Sequence, residues 1–264
     1  MLSGLAPARR RVVLTALVLV VALVVALAVA LVLRSRPAAD VDQSRPGPLL
    51  LVPGYGGSER SLAPLAIALR AGGRDVTVVS LPDSALGDLG EQARALGDAV
   101  DAALARTAAS SVDLVGYSAG GVVARLWVVE DGGAARTRRL VTLGSPHAGT
   151  QLAQLGTLVA GACPTACQQL APGNAVLARL AREPIPTGVV AVSLWSTSDD
   201  VVLPPESAVL AGVASPSLQS ICPASTVRHG GLPGDRLVQS LVAEAVAVAR
   251  PPTWGPTDCS RLSS

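Results

Sequence analysis

The stretch "VDLVGYSAGGVVARL", Val112 to Leu126, decides how the chain folds around it. One apolar run leads into a turn and a second leads out. Ser118 stands in that turn between Gly116 and Gly120, with Ala119 and Gly121 beside it. Only small residues let a buried strand turn this sharply into a helix. The helix then points its free N–H groups, and the positive end of its dipole, back toward the serine. G-x-S-x-G arises by chance in a chain with 26 glycines. Set between a buried strand and a helix, it predicts an exposed, activated hydroxyl rather than a connector.

Outward from this turn, segments alternate between the periods of strands and helices. "LLLV" (Leu49–Val52) is a short buried strand ending in "PGYGGS". Leu62–Gly73 is helical and stops at glycines. Asp75–Leu81 is a strand, and Leu89–Ala109 a long helix with Leu96, Val100 and Leu104 at fourfold spacing. Arg138–Pro146, Gly188–Trp195 and Ser217–Cys222 read as strands, and Gly234–Arg250 as a closing helix. The pattern predicts an α/β fold, a mostly parallel central sheet with helices on both faces. Chemistry in such sheets gathers at the carboxyl ends of strands. Here that means the positions after Val52, Val115, Trp195 and Cys222.

A serine nucleophile needs a base, and the chain has two histidines, His147 and His229. His229, in "VRHGGLPGD", falls late, as the order Ser, acid, His requires. His147, in "GSPHAGT", is left a supporting or structural role. The acid should lie between Ser118 and His229, and "SDDVV" supplies it. The spacing Asp-x-Val-Val selects Asp199, leaving Asp200 to cap or face solvent. Two backbone donors are also needed for a developing oxyanion. Ala119 follows the serine, and Tyr55 sits in "PGYGGS", where Gly54, Gly56 and Gly57 allow close approach. That loop is not a phosphate loop, since the chain contains no lysine for G-K-[ST]. It also lacks the third glycine of a dinucleotide fingerprint. No cofactor and no metal are expected.

The ends carry different information. Val12–Leu33 is an uncharged apolar run, about 33 Å long as a helix and enough to span a bilayer core. Arg9 to Arg11 precede it. It is longer than the apolar part of a cleaved signal peptide, so a signal anchor is expected, with a secreted form after cleavage as the alternative. Residues 1–11 are then cytoplasmic, 12–33 a transmembrane helix, 34–48 a linker and 49–264 an extracytoplasmic α/β domain. Without residues 1–39 the chain carries 16 arginines against 19 acids. That balance, with few aromatics, argues against nucleic-acid binding. The four cysteines suit an exported chain. Cys163–Cys167, which is local, and Cys222–Cys259, which would tie down the Pro-rich tail, are the expected disulfides. Residues 150–186 are apolar and irregular, and read either as a cap or lid over the site or as an ordinary helix with a decorated loop.

With these residues together, the chain resembles the α/β-hydrolase superfamily and looks most like small bacterial secreted lipases and esterases. The likeness rests on "LLLVPGYGGS", "VDLVGYSAGGVVARLW", "LVTLGSPHAGT", "STSDDVVLPPES" and "RHGGLPGDRLVQSLV". It implies an α/β-hydrolase sheet, a Ser118–Asp199–His229 triad and oxyanion donors at Tyr55 and Ala119. The family's oxyanion segment usually opens His-Gly; here it is Pro53-Gly54, which keeps the backbone donor. The expected activity is carboxylic ester hydrolysis on lipid or other acyl esters, by a membrane-tethered monomer. The alternatives are an acyltransferase or a phospholipid- or glycolipid-directed hydrolase with the same triad, and a catalytically idle surface binding module.

Overall fold

The computed structural model describes residues 15, 17–25, 41–158 and 161–264. The chain divides into two compact units, Met1–Ala39 and Asp40–Ser264. In the first, residues 17–25 are helical and exposed. Most of the apolar run 12–33 lies outside the described residues, and among those described no helix is long and apolar enough to cross a membrane.

The second unit is built on a parallel sheet. In chain order its elements are β1 (Leu49–Val52), α1 (Glu59–Ala71), β2 (Val76–Val78), α2 (Leu89–Thr107), β3 (Val112–Tyr117), α3 (Ala119–Glu130) and β4 (Thr137–Leu143). There follow α4 (Gln151–Thr157), α5 (Thr165–Gln169), α6 (Ala175–Leu180), β5 (Val190–Leu194), α7 (Leu218–Ile221), α8 (Arg236–Ala245) and α9 (Cys259–Ser263). The strands run in the order β2-β1-β3-β4-β5, each pair parallel. Strand side chains alternate between faces, and β1 shows it directly. Leu50 and Val52 join the apolar cluster with α2 and α3, while Leu49 and Leu51 join the one with α1 and α8. Both faces are therefore covered, which is why "LLLV" and "VDLV" read as continuous apolar runs.

The helices start where the sequence provides caps. Asp88 accepts from the Glu91 N–H at 3.0 Å to open α2, and Asp235 accepts from the Val238 N–H at 3.2 Å to open α8. Residues 161–186 are bound into the domain. Ala166, Leu170, Leu177 and Leu180 are buried in the α2–α3 cluster. The Gln169 side chain donates to Asp88 Oδ2 at 2.5 Å and accepts from the Leu89 N–H at 2.8 Å. The short α4 is different, with Leu152, Leu155 and Leu158 exposed. Disulfides join Cys163 to Cys167 and Cys222 to Cys259, as expected.

One expected strand is absent. Ser217–Cys222 forms the single-turn helix α7, because the Ser217 hydroxyl caps the Ser220 N–H at 3.0 Å. Only an isolated parallel bridge, Trp195 to Ser217, continues the sheet there.

Candidate active site

The sheet delivers Ser118 at the carboxyl end of β3, its central strand. Ser118 has φ 54° and ψ −128°, a conformation that side-chain-bearing residues adopt at a cost of about 1–3 kcal/mol. The surroundings hold it there. Its N–H donates to the Leu143 carbonyl at 2.8 Å, and its own carbonyl accepts from the Gly121 N–H at 3.0 Å. The glycines are required by close approach. A Cβ on Gly116 would stand 2.4 Å from the Gly121 Cα, and one on Gly120 would stand 2.3 Å from the Val52 carbonyl oxygen.

Three predicted residues meet in a line. His229 Nε2 lies 2.9 Å from Ser118 Oγ, and His229 Nδ1 lies 2.7 Å from Asp199 Oδ2. The carboxylate fixes the tautomer: Nδ1–H donates to Asp199, and Nε2 is left to accept the serine proton. Asp199 and His229 are buried, while Ser118 is half-buried and reachable. Asp199 Oδ1 accepts from the N–H groups of Val201 at 2.9 Å and Val202 at 2.8 Å. Those bonds explain the Asp-x-Val-Val spacing, because the aspartate is anchored by the two valines that follow Asp200. Asp200 itself is exposed, pairs with Arg228 at 3.3 Å, and accepts from the His229 N–H at 3.3 Å.

The oxyanion candidates stand beside the serine. A Cβ on Gly54 would come within 2.9 Å of the Ser118 Cβ, so only glycine lets this loop lie against the hydroxyl. Neither the Tyr55 nor the Ala119 N–H has an acceptor among the described residues. The Tyr55 side chain is exposed.

Two residues at the site were not picked out from the sequence. The Tyr117 ring stacks on the His229 imidazole, with centroids 5.1 Å apart, and its hydroxyl donates to the His229 carbonyl at 3.1 Å. Burial, then the negative charges of Asp199 and Asp200, push this phenol up to about 12, so it stays a donor. Gly144, with φ 53°, lies under the His229–Asp199 bond. A Cβ there would stand 2.6 Å from Leu232 Cδ1, 3.1 Å from Asp199 Oδ2 and 3.2 Å from His229 Nδ1. Tyr117 sits inside the serine pentapeptide itself, and Gly144 ends the strand before "SPHAGT". Those adjacencies are the signal that could have found them.

His147 is buried away from this line. Its Nε2 lies 3.1 Å from Thr142 Oγ1, which donates onward to Ser193 Oγ at 2.8 Å. Thr142 has one proton and gives it to Ser193, so His147 donates through Nε2–H. Nδ1 is then a bare acceptor, with no partner among the described residues. Burial, with help from the Arg125 charge, pushes this imidazole down to about 3. Among the described residues no group of three or more His, Cys, Asp or Glu is placed to hold a metal ion.

A family model described as "PGAP1-like alpha/beta domain" matches residues 84–242, more than half of the chain. The chain belongs to this PGAP1-like alpha/beta family. The matched span contains Ser118, Asp199 and His229; Tyr55 precedes it. No curated protein matches the chain. Among solved structures, the PGAP1-like chain is similar to Aspergillus fumigatus lipase B, with a TM-score of 0.66 and 22% identity. That match covers 86% of this chain and 57% of the lipase, so the chain spans little more than half of that relative's length. It is also similar to Bacillus licheniformis lipase BlEst2 in its mature form, with a TM-score of 0.50 at 20% identity over 61% of this chain and 70% of that one. A third similar structure is MGS-MChE2, an alpha/beta hydrolase from a sediment metagenome of the Mar Chica lagoon, Morocco. Its TM-score is 0.50 at 19% identity, over 72% of this chain and 84% of that one. At these identities the likeness establishes the fold, which is that of the α/β hydrolases.

Proposed function

We propose that the protein is a serine carboxylic ester hydrolase acting on lipid or other acyl esters, with Ser118, His229 and Asp199 as its triad. The observation that carries this reading is the hydrogen-bonded line from a buried carboxylate through an imidazole to a strained, reachable hydroxyl. His229 Nε2 takes the Ser118 proton as Oγ attacks the ester carbonyl carbon. The carbonyl oxygen becomes an oxyanion received by the Tyr55 and Ala119 N–H groups. Asp199 stabilises the imidazolium. The tetrahedral intermediate collapses, and His229 protonates the departing alcohol. Water then attacks the acyl-serine by the same proton route, releasing the acid and free Ser118.

In this reading the apolar run 12–33 anchors the chain in a membrane and places residues 41–264 outside the cytoplasm. Ser118→Ala tests the central claim. Hydrolysis of p-nitrophenyl butyrate should fall on the order of 10⁴-fold or more while the melting temperature is kept. The reading fails if the folded variant keeps a tenth of its activity.

A further inference from the structure

The amino edge of the sheet carries a second concentration of charge. Asp113, at the start of β3, is fully buried and saturated. Arg138 grips both its oxygens, at 2.9 and 2.6 Å, and Arg74 adds a contact at 2.5 Å. The next residue, Arg139, is equally deep but has no carboxylate. Its Nη1 donates to Gln43 Oε1 at 2.9 Å, and its Nη2 reaches the carbonyls of Ala247 at 3.3 Å and of Val248 and Ala249, each at 3.2 Å. Its Nε is buried with no hydrogen-bond partner among the described residues.

A cleft of about 390 Å³ opens on this arginine, with Val41, Gln43, Gly188, Val248 and Arg250 in its walls and no acidic residue among them. Arg250 is exposed and makes no hydrogen bond or ion pair among the described residues. Asp42, between Val41 and Gln43, has its carboxylate occupied by the Ser44 N–H and hydroxyl and by Arg45. Burial, then the charge of Arg138, holds Arg139 below its usual value; Asp113 offsets this in part, and Arg250 adds to it. Two guanidinium groups therefore share a concave site with no carboxylate among the described residues that line it. Planar guanidinium forks match tetrahedral oxyanions. The walls formed by Val41, Val190 and Val248 leave apolar surface next to that charge.

We propose that the cleft between Arg139 and Arg250 binds a phosphate group, either as the free ion or as the phosphodiester of a lipid headgroup. The site is independent of Ser118, because β3 separates its two ends by about 17 Å at 3.3 Å per residue. The test is calorimetric titration of the full-length protein in neutral detergent. One arm uses inorganic phosphate, and the other uses dihexanoyl phosphatidylglycerol below its micelle-forming concentration. Sodium chloride at matched ionic strength is the control.

At least one probe should bind saturably, and Arg250→Gln should weaken that binding about tenfold or more, the scale of a lost charge-assisted hydrogen bond. Because Arg250 is exposed and unpaired, this variant should keep the unliganded melting temperature and the ester hydrolysis rate. Arg139→Gln, if folded by circular dichroism, should remove binding. Binding of phosphate alone assigns the site to the free ion, and binding of the phosphatidylglycerol assigns it to a headgroup. Binding by neither, or binding that Arg250→Gln leaves unchanged, overturns the proposal.

Discussion

The two histidines of the domain are almost equally buried, at 5% exposure for His229 and 4% for His147. His147 follows the carboxyl end of β4, and His229 follows the helical turn α7. They differ in what stands beside them. His229 has a carboxylate on Nδ1 and a hydroxyl on Nε2, so its bare nitrogen faces Ser118. His147 has a hydroxyl on Nε2, no hydrogen-bond partner on Nδ1 among the described residues, and an arginine as its charged neighbour. The two rings are thus held in opposite tautomers. Burial is common to both imidazoles; in the proposed mechanism the partner that separates them is the carboxylate on Nδ1, which only His229 has.

The largest effects expected from this contrast fall on the His229 line. His229→Ala should lower kcat/KM for p-nitrophenyl butyrate on the order of 10⁴-fold or more. Asp199→Asn should cost on the order of 10³- to 10⁴-fold by losing the tautomer. Equal activity in the two parent and variant proteins would erase the difference between the histidines.

Gly144→Ala is a smaller perturbation of the same line. A methyl at φ 53° presses on Leu232, Asp199 and His229, and displacement of the imidazole should cut kcat about 10- to 100-fold with KM little changed. Full steady-state kinetics on purified, folded protein would show whether kcat alone moves. Tyr117→Phe keeps the ring under His229 and removes its hydrogen bond to the His229 carbonyl. It should cost about 1 kcal/mol of stability and a few-fold in kcat, read by chemical denaturation and initial rates.

His147→Asn should leave kcat/KM within about threefold. Its signature is in acid. His147 titrates near 6.5 when unfolded and at about 3 when folded. Between those values the unfolded chain therefore holds the extra proton. Stability contributed by the neutral ring is complete above 6.5 and is lost as the pH falls toward 3, with a slope of about 1.4 kcal/mol per pH unit. Urea titrations from pH 7 to pH 4 should show a shallower acid decline in the variant. An unchanged slope would mean that this histidine does not titrate across the window.

Much of the site was legible because its devices are local. A serine between glycines after "VDLV" can only turn where a strand meets a helix. "SDDVV" encodes both the aspartate and the two N–H groups that orient it. The chain's supply of two histidines left one in the right order. Other features depend on contacts between distant segments and leave no local trace. Gly144 reads as a strand-ending glycine until Leu232 and the Asp199–His229 pair are packed against it. Tyr117 reads as core until its hydroxyl finds a carbonyl 112 residues away. Ser217–Cys222 has an apolar content that suits a strand, yet one hydroxyl cap makes it a helical turn. The stretch 150–186 reads as irregular because its elements are short, and its part 161–186 is nonetheless packed into the domain. What holds it is burial against α2 and α3 and the pairing of Gln169 with Asp88.

The bond between Cys222 and Cys259 closes a ring of chain, 37 residues apart in sequence, and His229 lies within it. A protease that cuts any single peptide bond between these cysteines therefore leaves both pieces covalently joined. The imidazole and the serine remain parts of one molecule after such a nick, and separating them requires a reductant as well as the cut.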